Sequence, residues 1–117
     1  MVVRHEQDQA EIDRIFAALA DSTRRDIVGR VLHQGSSVSA LAQRYEMTFA
    51  AVQKHVAVLQ RAGLVTKERR GREQIVRGHV HTVRAAAGLL DEYEEIWRGR
   101  IGRIEEILAE PTRGDLP

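Results

Sequence analysis

A chain of 117 residues, 43% apolar and 30% charged, is long enough for one folded domain and too apolar for a disordered one. It has no cysteine, which excludes disulfides, thiolate metal sites and cysteine nucleophiles together. The net charge of +1 says little about partners, but its distribution does: Gln53 to Arg77 carries seven basic against two acidic residues, whereas Gly88 to the end carries four against eight. The apolar runs are all shorter than the roughly 18 residues that span a bilayer. The start Met1-Val2-Val3-Arg4-His5-Glu6 lacks the apolar stretch of a secretory signal. A cytoplasmic protein with no membrane attachment is expected, folded as a single domain over 1–117 with frayed ends at 1–8 and 110–117.

Apolar residues Ile12, Ile15, Phe16 and Leu19 recur at the three-and-four spacing of one helical face and predict a first helix from about Asp8 to Ala20. Asp21 caps a second, carrying Ile27, Val28, Val31 and Leu32, which ends in the turn chemistry of Gln34-Gly35-Ser36-Ser37. Ser39 reads as the cap of a short third helix, Ala40 to about Tyr45, with Leu41 turned inward. Thr48 then caps a fourth, in which Val52, Val56 and Leu59 share one face while Ala50, Gln53, Lys54 and Ala57 point away. Gly63 supplies the left-handed residue that stops this helix, and Leu64-Val65 starts a hairpin whose turn is placed at Arg70-Gly71. The last element, roughly Thr82 to Ala109, is amphipathic throughout, with Val83, Ala86, Leu90, Tyr93, Trp97, Ile101, Ile104 and Leu108 on one face. Gly88, Gly99 and Gly102 each cost about 1 kcal/mol inside a helix, so a bend or break near Gly99 is expected.

Two short capped helices across a tight turn make a helix-turn-helix, and the arginine-bearing hairpin that follows makes it winged. The predicted class is therefore mainly α with a small β-hairpin, a winged helix-turn-helix that dimerises through its N- and C-terminal helices. In this reading helix 49–62 enters the major groove and wing 66–77 lies on the backbone or in the minor groove. No glycine-rich phosphate loop, Gly-x-Ser-x-Gly turn or His-Glu-x-x-His pair is present, so an enzyme is not expected and no cofactor is implied.

Over about residues 10 to 109 the chain resembles the arsenic-repressor-like (ArsR/SmtB) family of small bacterial winged-helix repressors. The resemblance is carried by Leu19-Ala20-Asp21-Ser22-Thr23-Arg24-Arg25-Asp26-Ile27, by Val38-Ser39-Ala40-Leu41-Ala42, and by Ala51-Val52-Gln53-Lys54-His55-Val56-Ala57-Val58-Leu59 running into Ala62-Gly63-Leu64-Val65. Two positions depart from the family: Gln53 stands where serine is common and Val56 where leucine is. The ending Leu89 to Trp97 with Arg100 is similar to a branch whose long last helix carries Tyr-x-x-x-Trp and lacks the thiolate metal site. The resemblance implies a homodimeric transcription regulator, most simply a repressor, on a palindromic double-stranded DNA operator, with an effector that the sequence does not name. The alternatives are a winged-helix module that binds only protein, and a metal-responsive repressor that uses His79 and His81 with Glu92 and Glu95.

On that reading the DNA-contacting residues are Ser39, Thr48, Phe49, Ala50, Gln53, Lys54 and His55, with Arg69, Arg70 and Arg72 of the wing. Gln53 suits adenine, Lys54 a phosphate or guanine, and Phe49 or Ala50 a thymine methyl. His55 has two open readings, a phosphate contact or packing at the turn. The dimer interface is expected to use Ile12, Phe16 and Leu19 with Leu90, Tyr93, Trp97 and Ile104. Some relatives hold a metal between subunits at the start and middle of the last helix, where this chain has His79, His81, Glu92 and Glu95. Glutamates replace the usual second pair of histidines, and no metal is expected.

Overall fold

The computed structural model describes residues 2–109, with side chains placed from Asp8 on. In chain order the elements are α1 (Val2–Leu19), α2 (Ser22–His33), β1 (Ser36–Ser37), α3 (Val38–Tyr45), α4 (Phe49–Arg61), β2 (Val65–Arg70), β3 (Glu73–Gly78) and α5 (Val80–Ala109). α1 begins at Val2, ahead of the start near Asp8, so the segment expected to be frayed at 1–8 is helical from its second residue. The expected fraying at 110–117 lies outside the described residues. Residues up to Ala86 form one compact unit and those from Ala87 a second.

In the first unit each helix sends a three-and-four-spaced set of side chains into one core. Ile15 and Ala18 come from α1, Ile27, Val28 and Val31 from α2, Val38, Leu41 and Ala42 from α3, and Val52, Val56 and Leu59 from α4. Leu64, Val65 and Val76 close the core from the sheet side. Burying such side chains contributes about 1.5–3 kcal/mol each, which sets how the helices face. Leu32, expected among them, is 41% exposed and instead lies along Gly78, where a Cβ would come within 2.5 Å of its Cδ2.

Three features differ from what the sequence predicts. Ser36–Ser37, expected as a turn, pairs antiparallel with β3 (Ser36 with Val76, Ser37 with Ile75) and completes a sheet of order β1-β3-β2. The cap of α3 is Ser37, whose Oγ accepts the Ala40 N–H at 3.1 Å, and Ser39 is an exposed residue of the first turn. The reason is Val38, only 1% exposed: a helix that starts there puts Val38, Leu41 and Ala42 on the core face, which a start at Ala40 would not. The wing turn is Gly71-Arg72, one residue later than expected, because Arg70 pairs with Glu73. Gly71 at φ +61 takes the first central position, the place a type II′ turn gives to glycine.

α3 stops at Glu46, a non-glycine residue at φ +54, which turns the chain so that the Met47 N–H reaches the Ala42 carbonyl at 3.0 Å. Two residues later Thr48 starts α4. A helix-turn-helix followed by a two-stranded wing is thus the organisation of the first unit. α5 is one uninterrupted helix of 30 residues, with no break at Gly88, Gly99 or Gly102. Among the described residues no helix is long and apolar enough to cross a membrane.

Candidate nucleic-acid interface

Three local devices aim α4. Thr48 Oγ1 accepts the Ala51 N–H at 3.1 Å and fixes its first turn. Gly63 at φ +76 ends it, with the Leu64 N–H on the Leu59 carbonyl at 3.0 Å. Between them Val52, Val56 and Leu59 are fully buried, so the opposite face, with Ala50 and Lys54, is exposed and Gln53 and Ala57 are half-buried. Phe49 opens the helix half-exposed, a large ring outside the core at the edge of this face.

His55 lies elsewhere. At about 100° per residue it sits some 160° around the helix from Gln53, and its Nδ1 is 3.4 Å from Arg24 Nη1. Packing at the turn, one of its two open readings, has Arg24 as its partner. Arg24 also donates through Nε to the Ala18 carbonyl at 2.6 Å and through Nη2 to Ala17 at 3.2 Å, tying the C-terminus of α1 to the flank of α4. Asp21 holds this corner from the other side by accepting the Arg24 N–H at 3.1 Å, and that bond, with the nearby guanidinium, keeps its carboxyl below the usual range. Sequence reasoning missed Arg24; the Asp-x-x-Arg spacing at a helix start was its visible signal.

The wing is a twelve-residue ribbon in regular register, Val65 with Gly78 through Arg70 with Glu73. Alternation puts Val65, Lys67 and Arg69 on one face with Gln74 and Val76, and Thr66, Glu68 and Arg70 on the other with Ile75 and Arg77. Val65 and Val76 are buried at the base, while Arg69, Arg70 and Arg72 are exposed at the tip. Arg77 Nε lies 3.6 Å from Glu68 Oε2, so one wing arginine is already paired. Arg69 Nε donates to the Gly71 carbonyl at 3.3 Å, which leaves the rest of its guanidinium free to face outward.

Helix and wing touch through a side-chain pair that the sequence did not predict. Gln53 Nε2 donates to Gln74 Oε1 at 2.9 Å, and Lys67 Nζ donates to Gln53 Oε1 at 3.5 Å. Gln53, expected to present a free amide, is therefore engaged.

At the start of α5, His79 Nδ1 lies 3.3 Å from the Gly63 carbonyl and 3.1 Å from Thr82 Oγ1, and its ring meets that of His81 edge to face. His79 thus joins the end of α4 to the first turn of α5. Among the described residues no three His, Asp or Glu side chains converge as a metal site would need.

In the second unit Leu90, Tyr93, Trp97 and Ile104 are each about half exposed, and Ile96, Ile107 and Leu108, which were not singled out for an interface, are more so. Arg100 lies 6.0 Å over the Trp97 ring. On α1, by contrast, Phe16 and Leu19 pack against the core of their own unit and Ile12 is half-buried, so these three offer less free apolar surface than expected.

Residues 19–68 match a helix-turn-helix domain family. The chain is 35% identical over 71 residues to the uncharacterized HTH-type transcriptional regulator YuzN of Bacillus subtilis, covering 55% of this chain and 77% of that one. Among solved structures, an ArsR-like transcriptional regulator from Rhodococcus sp. RHA1 superposes with a TM-score of 0.71 at 34% identity, covering 89% of this chain and 97% of its own. A crystal structure of an ArsR family transcriptional regulator does so with a TM-score of 0.71 at 30% identity, covering 77% and 93%. With the winged helix-turn-helix in place, these likenesses show that the chain belongs to the ArsR family of transcriptional regulators and carries its helix-turn-helix DNA-binding domain.

Proposed function

We propose that the chain is a homodimeric repressor of the cytoplasm that reads a palindromic operator and blocks its promoter. The observation that carries this reading is the joining of an exposed α4 face to an arginine-tipped wing, so that both can meet one duplex at once. Phe49, Ala50 and Lys54 face the bases of the major groove, with the apolar pair suited to a thymine methyl and Lys54 to guanine or a phosphate. Thr48 and Ser39, at the starts of α4 and α3, are placed for backbone phosphates, and Arg69, Arg70 and Arg72 for phosphates or the adjacent minor groove.

The apolar stripe of α5 supports the dimer. Leu90, Tyr93, Trp97 and Ile104 are about half exposed, a second copy would take them out of water, and a long amphipathic helix pairs most simply across a two-fold axis. Two copies of α4 would then lie about one turn of B-DNA apart, near 34 Å.

Selecting bound duplexes from random DNA tests the reading. Enrichment of an inverted repeat with half-sites one helical turn apart supports it, and recovery of no common sequence overturns it. In parallel, Trp97→Glu is expected to give monomers by light scattering and to weaken operator binding. An unchanged dimer would remove Trp97 from the interface.

A further inference from the structure

Gln53 has the helical position of a base reader but not the free amide of one. A glutamine that recognises adenine presents Oε1 and Nε2 together along one edge. Here Nε2 is given to Gln74 at 2.9 Å and Oε1 takes Lys67 at 3.5 Å, and the residue is half-buried between helix and ribbon. The orientation is set by Lys67: an ammonium can only donate, so it draws Oε1 of Gln53 to itself and leaves Nε2 for Gln74.

The place of these contacts matters. Beyond Ile75, where its pairing with β1 ends, the ribbon has two strands and no fully buried residue, and a two-stranded ribbon is marginal by itself. Gln74 is two residues nearer the tip than Val76 and directly opposite Arg69. Among the described residues, the Gln53 bonds are the side-chain hydrogen bonds that join the wing to α4.

We propose that Gln53 is a positioning residue: with Gln74 and Lys67 it braces the wing against the recognition helix, fixing how far Arg69, Arg70 and Arg72 stand from the side chains that read bases. This inference rests on the DNA-reading proposed above. It assigns base discrimination to Phe49, Ala50 and Lys54, and gives Gln53 a share in affinity without a base of its own.

The test has one arm with DNA and one without. Against the selected operator and each of its single-base-pair variants, Gln74→Ala, which loses one neutral hydrogen bond, should weaken binding about two- to tenfold, and Gln53→Ala, which also loses the Lys67 bond, at least as much. Base preferences should stay unchanged at every position, and the double variant should bind no worse than Gln53→Ala alone. In the DNA-free protein both substitutions should speed amide hydrogen exchange across residues 68–75. Gln53→Glu, whose carboxylate still accepts from Lys67 and accepts from Gln74 once that amide turns its Nε2 toward it, should restore protection. Loss of discrimination at a single base pair in Gln53→Ala, with Gln74→Ala silent, would make Gln53 a base reader and overturn the brace. Unchanged exchange in both alanine variants overturns it as well. If the wild-type protein selects no duplex, the DNA-reading fails while the exchange arm still judges the brace.

Discussion

The wing arginines give a quantitative expectation for how operator binding responds to salt. Arg69, Arg70 and Arg72 are exposed, and none of the three has a carboxylate partner among the described residues. Arg77 is left out of the count because Glu68 already neutralises it at 3.6 Å. One phosphate for each of the three, in both protomers, makes six, and at about 0.9 per phosphate the slope of log K against log salt is about −5. Raising salt from roughly 50 to 200 mM should then weaken binding about a thousandfold. Arg70→Ala removes two of the six contacts and should flatten the slope by about 1.8, with base preference unchanged. Fluorescence anisotropy of a labelled operator over a salt series measures both quantities. A wild-type slope near zero, or an Arg70→Ala slope equal to wild type, would refute phosphate contact by the wing tip.

Three further expectations concern the frame that holds the interface. Gly78→Ala should cost about 1–3 kcal/mol in urea denaturation, because the new Cβ would meet Leu32 Cδ2 at 2.5 Å and Leu32 Cα at 3.0 Å, and a backbone atom cannot swing aside; unchanged stability would show that α2 does not lie so close. Ser37→Ala should lose about 1 kcal/mol of stability as a lost helix cap, and Ser39→Ala less than about 0.5 kcal/mol, an order that would reverse if Ser39 were the cap. Asp26 is held below its ordinary value of 3.8, first by the Tyr45 hydroxyl and then by Arg30, so its contribution to stability is present above about pH 4 and lost as pH falls through the depressed value. Tyr45→Phe should raise its midpoint in a carboxyl-detected NMR titration, and a midpoint that stays put would remove Tyr45 as the cause.

How much of this interface was legible depended on how far each contact reaches along the chain. α4 was readable because its determinants are local: Thr48 at its start, Gly63 at its end and the spacing of Val52, Val56 and Leu59 between. β1 was not, because two serines carry no alternation and their strand exists only through pairing with Ile75 and Val76 nearly forty residues on. The cap of α3 was misplaced by two residues in a stretch with three serines, since the deciding fact, the burial of Val38, is a tertiary one. The role of Gln53 was hidden for the same reason. Its partner Gln74 comes beside it only after the hairpin takes a register with Gly71-Arg72 at the turn, and the sequence placed that turn one residue earlier.

α5 makes the opposite case, where local propensity pointed to a break and periodicity, more closely read, does not require one. Three glycines at about 1 kcal/mol each argue against a continuous helix if their cost is all that counts. The apolar stripe, however, repeats every eleven residues: Ala86, Trp97 and Leu108, then Leu90 and Ile101, then Tyr93 and Ile104. An eleven-residue repeat advances about 3.67 residues per turn, close to the 3.6 of an α-helix, so the stripe stays on one face without a bend to realign it. Gly88, Gly99 and Gly102 each have open space where a Cβ would stand, so no close approach of atoms among the described residues demands a glycine there. Helix propensity then predicts that Gly99→Ala stabilises α5 by up to about 1 kcal/mol. If two copies pair along this stripe, the same near-straight phase lets Leu90 at one end and Ile104 at the other be covered together, which a helix broken at Gly99 would not allow.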